Sequence, residues 1–293
     1  MPETHHLPLG DETLTCVFHP PREHPRLPWP TILMAQGFAT LWQFGTASFI
    51  DAFNNAGFAV MTFDYRHFGE STGKPRQLID INAQIEDCHC VLDFMLTDGR
   101  VDKERIGFWG SSLGGGHALS VAARRDEVKA LVVQVPHCAA RLAEHAMPPS
   151  QMLKAAAHIG LDKLKNALGL APHYVAVAKE NGFCALPFSG WAEAYQQLVP
   201  ADAKWINGIP ARSLMAGMEY NPIDLAANVV CPTLFVYGSR DAGVSRASVE
   251  ATIKRVRGAE GHCFNGDHFS VYDGPLHAEI LARELGFFEQ HLL

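Results

Sequence analysis

Residues 106–114 read Ile-Gly-Phe-Trp-Gly-Ser-Ser-Leu-Gly. The apolar residues at the start of this stretch predict a buried strand, and the small residues after them predict a sharp turn into a helix. In such a turn the serine has a strained backbone conformation and an exposed hydroxyl. The residues two positions before and two positions after it must have little or no side chain. Ser112 meets this condition because Gly110 and Gly114 flank it, whereas Ser111 would be flanked by a tryptophan and a leucine. We therefore predict that Ser112 is the nucleophile of a nucleophile elbow; the alternative is a glycine-rich turn without chemistry.

The composition is typical of one large globular domain. With 293 residues, of which 47% are hydrophobic, the chain can bury a sizeable core. A net charge of −7 without a Lys/Arg cluster argues against a nucleic-acid partner. No apolar run approaches the roughly 20 residues that span a bilayer, and no signal peptide is evident. The seven cysteines are scattered. We therefore expect a cytoplasmic protein with reduced thiols and no membrane partner, of unspecified oligomeric state.

Short apolar strands alternate with helices between residues 31 and 135, after a predicted N-terminal hairpin over residues 4–19. Uninterrupted apolar strands are typical of a parallel sheet that is covered on both faces. Strands are expected at residues 31–35, 58–63, 106–109 and 128–135. Helices are expected over residues 42–55, in a long segment capped by Asp80, and after the elbow.

This alternation stops near residue 136 and resumes at residue 233. The sequence between these positions is helical or irregular and is interrupted by prolines, with helices expected at residues 151–168, 174–179 and 191–198. Strands at 233–237 and 260–264 and helices at 245–256 and 276–292 then follow. The break falls where a strand opens toward Ser112, which is the edge at which open α/β sheets bind ligands. We expect a core of residues 1–135 and 221–293, with residues 136–220 as a helical cap rather than a mere extension of the core.

A serine hydroxyl needs a base within hydrogen-bond reach, and the base needs an acid to orient it. After an elbow of this type the chain order should be serine, then Asp or Glu, then histidine. Asp241 lies just past the predicted strand at 233–237, and His268 lies just past the one at 260–264. We therefore predict a catalytic triad of Ser112, Asp241 and His268.

Other histidines and acids compete for these roles. His117 lies five residues into the helix after the elbow and is expected to point away from the turn. His67 and His137 follow strands and could line the pocket, but they come in the wrong order or place for the base. Among the acids, Asp224 is the main alternative to Asp241. Asp64 is expected to brace the loop that it begins, and Asp267 is expected to be a loop residue.

The oxyanion of acyl transfer needs two preorganised backbone donors. One should be the N–H of Leu113, directly after the nucleophile and at a helix N-terminus. The other should come from the loop after the first parallel strand, Gln36-Gly37-Phe38, where Gly37 permits close approach and Phe38 N–H is the candidate donor.

At these motifs the chain resembles the α/β-hydrolase superfamily, over most of its length. Gln36-Gly37-Phe38 resembles the family's His-Gly-X oxyanion turn, with Gln36 in place of histidine. Residues 64–71 resemble its D-Y-R-G-x-G-x-S loop, with His67 in place of a glycine. Residues 109–116 are similar to the elbow of the dienelactone-hydrolase-like and X-Pro-peptidase-like branches, and the run from residue 128 onward resembles bacterial relatives of fungal polyketide transferases and thiohydrolases. The resemblance implies a mostly parallel eight-stranded sheet, helices on both faces, and a helical cap inserted after strand six.

The leading functional prediction is a serine hydrolase that acts on a small-molecule carboxylic ester or thioester through an acyl-enzyme. An acyl or polyketide transferase would use the same acyl-enzyme with an alcohol or amine as acceptor. A peptidase is a further alternative, although nothing marks a subsite for a free peptide amine, and a non-catalytic ligand receptor would not need the triad. Carboxylate-nucleophile chemistry is excluded by Ser112. We expect no metal and no nucleotide cofactor, since no Cys/His spacing or glycine-rich phosphate loop suggests one.

Overall fold

The structure, a computed structural model, describes residues 1–23, 26–142 and 148–293. The strands within these residues are β1 (Glu3–Leu9), β2 (Glu12–His19), β3 (Trp29–Ala35), β4 (Ala59–Asp64), β5 (Val101–Ser111), β6 (Val128–Gln134), β7 (Tyr174–Val175), β8 (Ile209–Pro210), β9 (Thr233–Gly238) and β10 (Glu260–Phe264). The helices are α1 (Ala47–Asn55), α2 (Ile81–Thr97), α3 (Leu113–Ala122), α4 (Pro149–Ala167), α5 (Trp191–Leu198), α6 (Ala216–Glu219), α7 (Arg246–Ile253) and α8 (His277–Leu292).

Eight of the described strands form one sheet in the order β1-β2-β4-β3-β5-β6-β9-β10. Neighbours from β4 to β10 pair in parallel, while β2 is antiparallel to both β1 and β4. The sheet is therefore mostly parallel, as predicted. The carboxyl ends of β3, β5, β9 and β10 meet at one edge, so residues far apart in the chain come together there.

Helices cover both faces of this sheet, and each face has its own apolar cluster. On one face α1 and α8 bury Phe49, Phe53 and Phe288 against the strands. On the other face α2, α3 and α7 pack against alternate residues of the same strands. Adjacent residues of β5 illustrate this, because Phe108 belongs to one cluster and Trp109 to the other. This two-sided burial explains why the strands are apolar without interruption.

Helix α1 begins at Ala47, five residues later than the sequence predicts. Residues 42–45 form a turn instead. The N–H of Trp42 donates to the Asp64 carboxylate at 3.2 Å, and Gly45 has a φ of 68°, outside the helical region. The expected cap of α2 is confirmed, since the Asp80 side chain accepts from Ala83 N–H at 3.1 Å.

The segment between β6 and β9 carries α4, α5, α6 and the ribbon β7–β8. The helix predicted at residues 174–179 is wrong. Tyr174 and Val175 pair with β8, and the N–H groups of Val177 and Ala178 donate to the Asn207 side chain. These backbone N–H groups therefore bond to residues far away in the chain, rather than to the carbonyl groups four residues earlier that a helix would use. Among the described residues, no helix is both long and apolar enough to cross a membrane.

Candidate active site

Ser112 occupies the turn between β5 and α3 and has a φ of 55° with a ψ of −119°. A residue with a side chain rarely adopts a positive φ, and such strain persists only where the surroundings impose it. Here Ser112 N–H donates to the Gln134 carbonyl at 2.9 Å, and the Ser112 carbonyl accepts from His137 N–H at 2.8 Å. A Cβ at Gly110 would overlap the carbonyl oxygen of Gly114. The turn therefore has the geometry expected of a nucleophile elbow.

The side chains of Ser112, His268 and Asp241 form a hydrogen-bonded relay. His268 Nε2 lies 3.1 Å from Ser112 Oγ, and His268 Nδ1 lies 2.7 Å from Asp241 Oδ2. A carboxylate only accepts, so the neutral imidazole carries its proton on Nδ1 and presents Nε2 to the serine hydroxyl. The other oxygen of Asp241 accepts from the N–H groups of Gly243 and Val244 at 2.8 and 2.9 Å. This arrangement can take a proton from Ser112 while the acid stays fixed.

The turn after β3 lies directly against the nucleophile. A Cβ at Gly37 would lie 3.2 Å from the Cβ of Ser112, so a bare backbone permits this approach. Leu113 is the first residue of α3, and its N–H has no intrahelical acceptor. Among the hydrogen bonds of the described residues, none uses the N–H of Phe38 or of Leu113. Both predicted oxyanion donors are thus unengaged beside Ser112.

The alternative acids have other partners. Asp224, on a short 3₁₀ turn, is exposed and forms a two-point ion pair with Arg141. Asp64 is buried and accepts from the N–H groups of Trp42 and Glu70, so it braces its own loop as predicted. Neither carboxylate is bonded to a histidine among the described residues.

Asp267 also behaves as the loop residue that was expected. Its Oδ1 accepts from the N–H groups of Phe269 and Ser270 at 3.1 and 3.0 Å and from the Ser270 hydroxyl. These bonds hold the turn that follows β10 and so help to present His268.

The alternative histidines likewise have other partners. His117 is fully buried in α3 between Gln84 and Tyr220, and burial lowers the pKa of its imidazole to about 3, so it stays neutral. His137 bonds to the carbonyl of Tyr220 at 2.9 Å and stacks on its ring. His67 faces Glu12 at 3.8 Å. Among the described residues, none of these three histidines is hydrogen-bonded to Ser112 or to Asp241.

Aromatic side chains of the segment 136–220 reach the site, and the sequence did not specify which residues they contact. The ring of Trp191 stacks on His268 at a centroid distance of 4.8 Å and an interplanar angle of 26°. Tyr195, one turn further along α5, donates its hydroxyl to the Phe38 carbonyl at 2.9 Å. Only 6% of the His268 side chain remains exposed. The four-residue spacing of Trp191 and Tyr195 is the signal that places both on one helix face.

Buried hydrogen bonds hold the end of β5, directly before the elbow. Ser111 Oγ lies 2.5 Å from the hydroxyl of Tyr272 and accepts from the Gln134 side-chain amide at 3.1 Å. Trp109 Nε1 donates to Glu284 at 2.7 Å. Trp109 and Ser111, both near the end of β5, are therefore tied to α8 and to the loop before it. The hydroxyl of Ser111 is bonded to Tyr272 and Gln134, whereas the hydroxyl of Ser112 faces the imidazole of His268.

Within residues 1–23, 26–142 and 148–293, no three His, Cys, Asp or Glu side chains are grouped so that they could hold an ion. The seven cysteines are all unpaired with one another.

Comparisons with known proteins agree with this fold. The chain matches the family described as serine aminopeptidase, S33, over residues 30–278. The quorum-quenching protein AidA of Acinetobacter baumannii (strain MDR-ZJ06) is 29% identical over 265 residues, which cover 89% of this chain and 86% of AidA. The polyketide transferase ATR5 of Stachybotrys chlorohalonatus (strain IBT 40285) is 31% identical over 280 residues, covering 90% of this chain and 89% of the transferase.

The fold has close counterparts among solved structures. The α/β hydrolase GrgF from Penicillium sp. sh18 superimposes with a TM-score of 0.85 at 20% identity, covering 100% of this chain and 99% of GrgF. Since the matched region runs from β3 to the start of α8 and includes the elbow and its relay, this chain belongs to the serine aminopeptidase S33 family of α/β hydrolases.

Proposed function

We propose that this protein is a serine hydrolase that cleaves a small-molecule carboxylic ester or thioester through an acyl-enzyme. The observation that carries the proposal is the relay from Ser112 through His268 to Asp241, on an elbow whose strain exposes the serine hydroxyl. No step requires a metal or a cofactor.

In the proposed mechanism Ser112 Oγ attacks the substrate carbonyl carbon while its proton passes to His268 Nε2. Asp241 stabilises the resulting imidazolium, and the oxyanion accepts hydrogen bonds from the N–H groups of Phe38 and Leu113. The tetrahedral intermediate collapses, the leaving alcohol or thiol takes the proton from His268, and the acyl group stays on Ser112. Water then gives a proton to His268 and attacks the acyl carbon, and return of that proton to Ser112 releases the acid.

We further propose that residues 136–220 form a cap over this site, and that residues 1–135 and 221–293 form the catalytic core. The support is that α5 contacts both His268 and the turn after β3, which lie at the carboxyl edge of the sheet. A cap in this place would exclude water and shape the acyl pocket.

A second candidate function is acyl transfer to an alcohol or amine. The stacking of Trp191 on His268 favours it, because shielding the base from bulk water slows hydrolysis of the acyl-enzyme relative to attack by a bound acceptor. The similarity to a polyketide transferase points the same way.

The test combines covalent labelling with a substrate panel. A fluorophosphonate probe should label the wild-type protein, Ser112→Ala should abolish labelling and turnover, and Ser111→Ala should keep most of both. p-Nitrophenyl esters from two to twelve acyl carbons, matching acyl thioesters, and an aminoacyl p-nitroanilide separate esterase, thioesterase and peptidase activity. Labelling that survives Ser112→Ala would overturn the assignment of the nucleophile. Acyl transfer predicts faster release of p-nitrophenol when an alcohol acceptor is added.

A further inference from the structure

Three consecutive carbonyl groups in the turn after β3 each accept a hydrogen bond from a side chain. The carbonyl of Gly37 accepts from the Thr40 hydroxyl at 3.0 Å, and that of Phe38 accepts from the Tyr195 hydroxyl at 2.9 Å. The carbonyl of Ala39 accepts from Trp205 Nε1 at 2.6 Å. Ala39 has a φ of 56°, so the turn is strained and needs its surroundings to hold it.

These bonds fix the direction in which Phe38 N–H points. The N–H of Phe38 and the carbonyl of Gly37 belong to one planar trans peptide and point in opposite directions, so Thr40 orients this unit. Tyr195 holds the next peptide unit through the Phe38 carbonyl. Both peptides that meet at the Cα of Phe38 are therefore held, and the two backbone dihedrals of Phe38 have little freedom.

Two of the three donors, Tyr195 and Trp205, lie in the segment 136–220. Tyr195 is a residue of α5 and is 7% exposed, with its ring edge-on to Phe269 at 5.7 Å. Trp205 packs edge-on against Phe44. The chain beside Trp205 is fixed to the core by Gln77, whose side chain bonds to Ile206 N–H and to the carbonyls of residues 206 and 208. Because the donors themselves are held in place, they can fix the positions of the carbonyl groups in the turn.

We propose that Tyr195 is a positioning residue of the oxyanion hole, holding the Phe38 peptide so that Phe38 N–H meets the oxyanion. The inference rests on the proposed function and assigns α5 a role in the reaction beyond covering the site. Because Trp191 of the same face stacks on His268, α5 contacts the acid–base half and the oxyanion half of the site at once.

The decisive variant is Tyr195→Phe, which keeps the buried ring and removes only the hydroxyl. With p-nitrophenyl butyrate we expect kcat to fall roughly tenfold with KM within about twofold of wild type, because the donor acts on charge that develops in the transition state. The inhibition constant of an alkyl trifluoromethyl ketone, whose adduct with Ser112 places an oxyanion in the same position, should rise by the same factor.

Tyr174→Phe is the matched control. Tyr174 also lies in the segment 136–220 and donates its hydroxyl to a core carbonyl, that of Arg76, at 2.7 Å, and no hydrogen bond of the described residues joins it to the turn after β3. It should leave kcat, KM and ketone inhibition within twofold of wild type. The unfolding midpoints of the two variants are compared, because each variant loses one hydrogen bond from a tyrosine hydroxyl to a backbone carbonyl.

Three results would overturn the proposal. Tyr195→Phe could keep wild-type kcat, it could lower kcat no more than Tyr174→Phe does, or it could lower kcat while ketone inhibition stays unchanged. In each case a wild type that turns over ester and is labelled at Ser112 leaves the proposed function intact. A wild type that is neither labelled nor active overturns the proposed function, and this inference with it.

Discussion

Replacement of Glu284 by glutamine should remove a loss of stability that the wild-type protein suffers as the pH rises through neutrality. Glu284 lies in α8 and is fully buried, and its Oε2 accepts from Trp109 Nε1 at 2.7 Å. Its Oε1 has no hydrogen-bond partner among the described residues. Burial raises the pKa of this carboxyl to about 8, and the bond from Trp109 offsets only part of that rise.

The sign and size of the effect follow from proton linkage. In the unfolded chain a glutamate has a pKa of about 4.3, so between that value and about 8 the folded protein holds a proton that the unfolded chain has lost. Stability from this group is therefore greatest at low pH and is lost as pH rises toward the folded pKa, by about 1.4 kcal/mol per pH unit. From pH 5.5 to 7.0 the wild type should lose about 2 kcal/mol that Glu284→Gln does not lose.

Urea unfolding followed by tryptophan fluorescence at pH 5.5, 6.0, 6.5 and 7.0 measures this difference. The free energy of unfolding of Glu284→Gln minus that of wild type should increase steadily with pH, because every other titrating group is common to both proteins. Glu289→Gln, the same exchange at an exposed position of α8, is the control. A difference that is constant with pH, or that changes equally in the control, would show that Glu284 is not held neutral by burial.

Three further outcomes test the site itself. Asp241→Asn should keep the fold by circular dichroism and lower turnover by a factor on the order of 10⁴, whereas Asp224→Asn should stay within about threefold of wild type; the opposite ranking would contradict the assigned acid. Gly110→Ala should lower both turnover and the unfolding midpoint, because its Cβ would overlap the Gly114 carbonyl, and a fully active variant would refute the geometry of the elbow. Trp191→Ala should shift the preference among p-nitrophenyl esters toward longer acyl chains; an unchanged preference would remove Trp191 from the acyl pocket.

The elbow could be predicted from the sequence because the residues that mark it lie within a few positions of one another. A Cβ at Gly110 would overlap the carbonyl of Gly114 within the turn, whereas a Cβ at Gly114 would overlap the carbonyls of Ala35 and Gln36 at the end of β3. The placement of Asp241 and His268 after strands was also recognisable, since parallel strands present their carboxyl ends at a common edge. Their mutual hydrogen bond and its length depend on the packing of the whole sheet.

Contacts between distant segments could not be predicted in this way. The bond from Tyr195 to Phe38 joins residues 157 positions apart, and nothing in the periodicity of α5 specifies its partner. The delayed start of α1 has a similar cause, because Trp42 N–H is taken up by Asp64 on a neighbouring strand. In both places a tertiary hydrogen bond outweighs the local preference of the chain.

The pairing of β6 with β9 has a consequence for how this family can vary. These neighbours are parallel and in register, yet roughly 100 residues separate Gln134 from Thr233, where a minimal crossover needs about 12. The entropy of closing a flexible loop grows only with the logarithm of its length, at about 0.6 kcal/mol per doubling, so the longer connection costs the sheet about 2 kcal/mol at most. The chain between these two strands is therefore free to lengthen, shorten or be exchanged between relatives while the strands continue to pair, and selection can change what enters the site without rebuilding the sheet that holds Ser112.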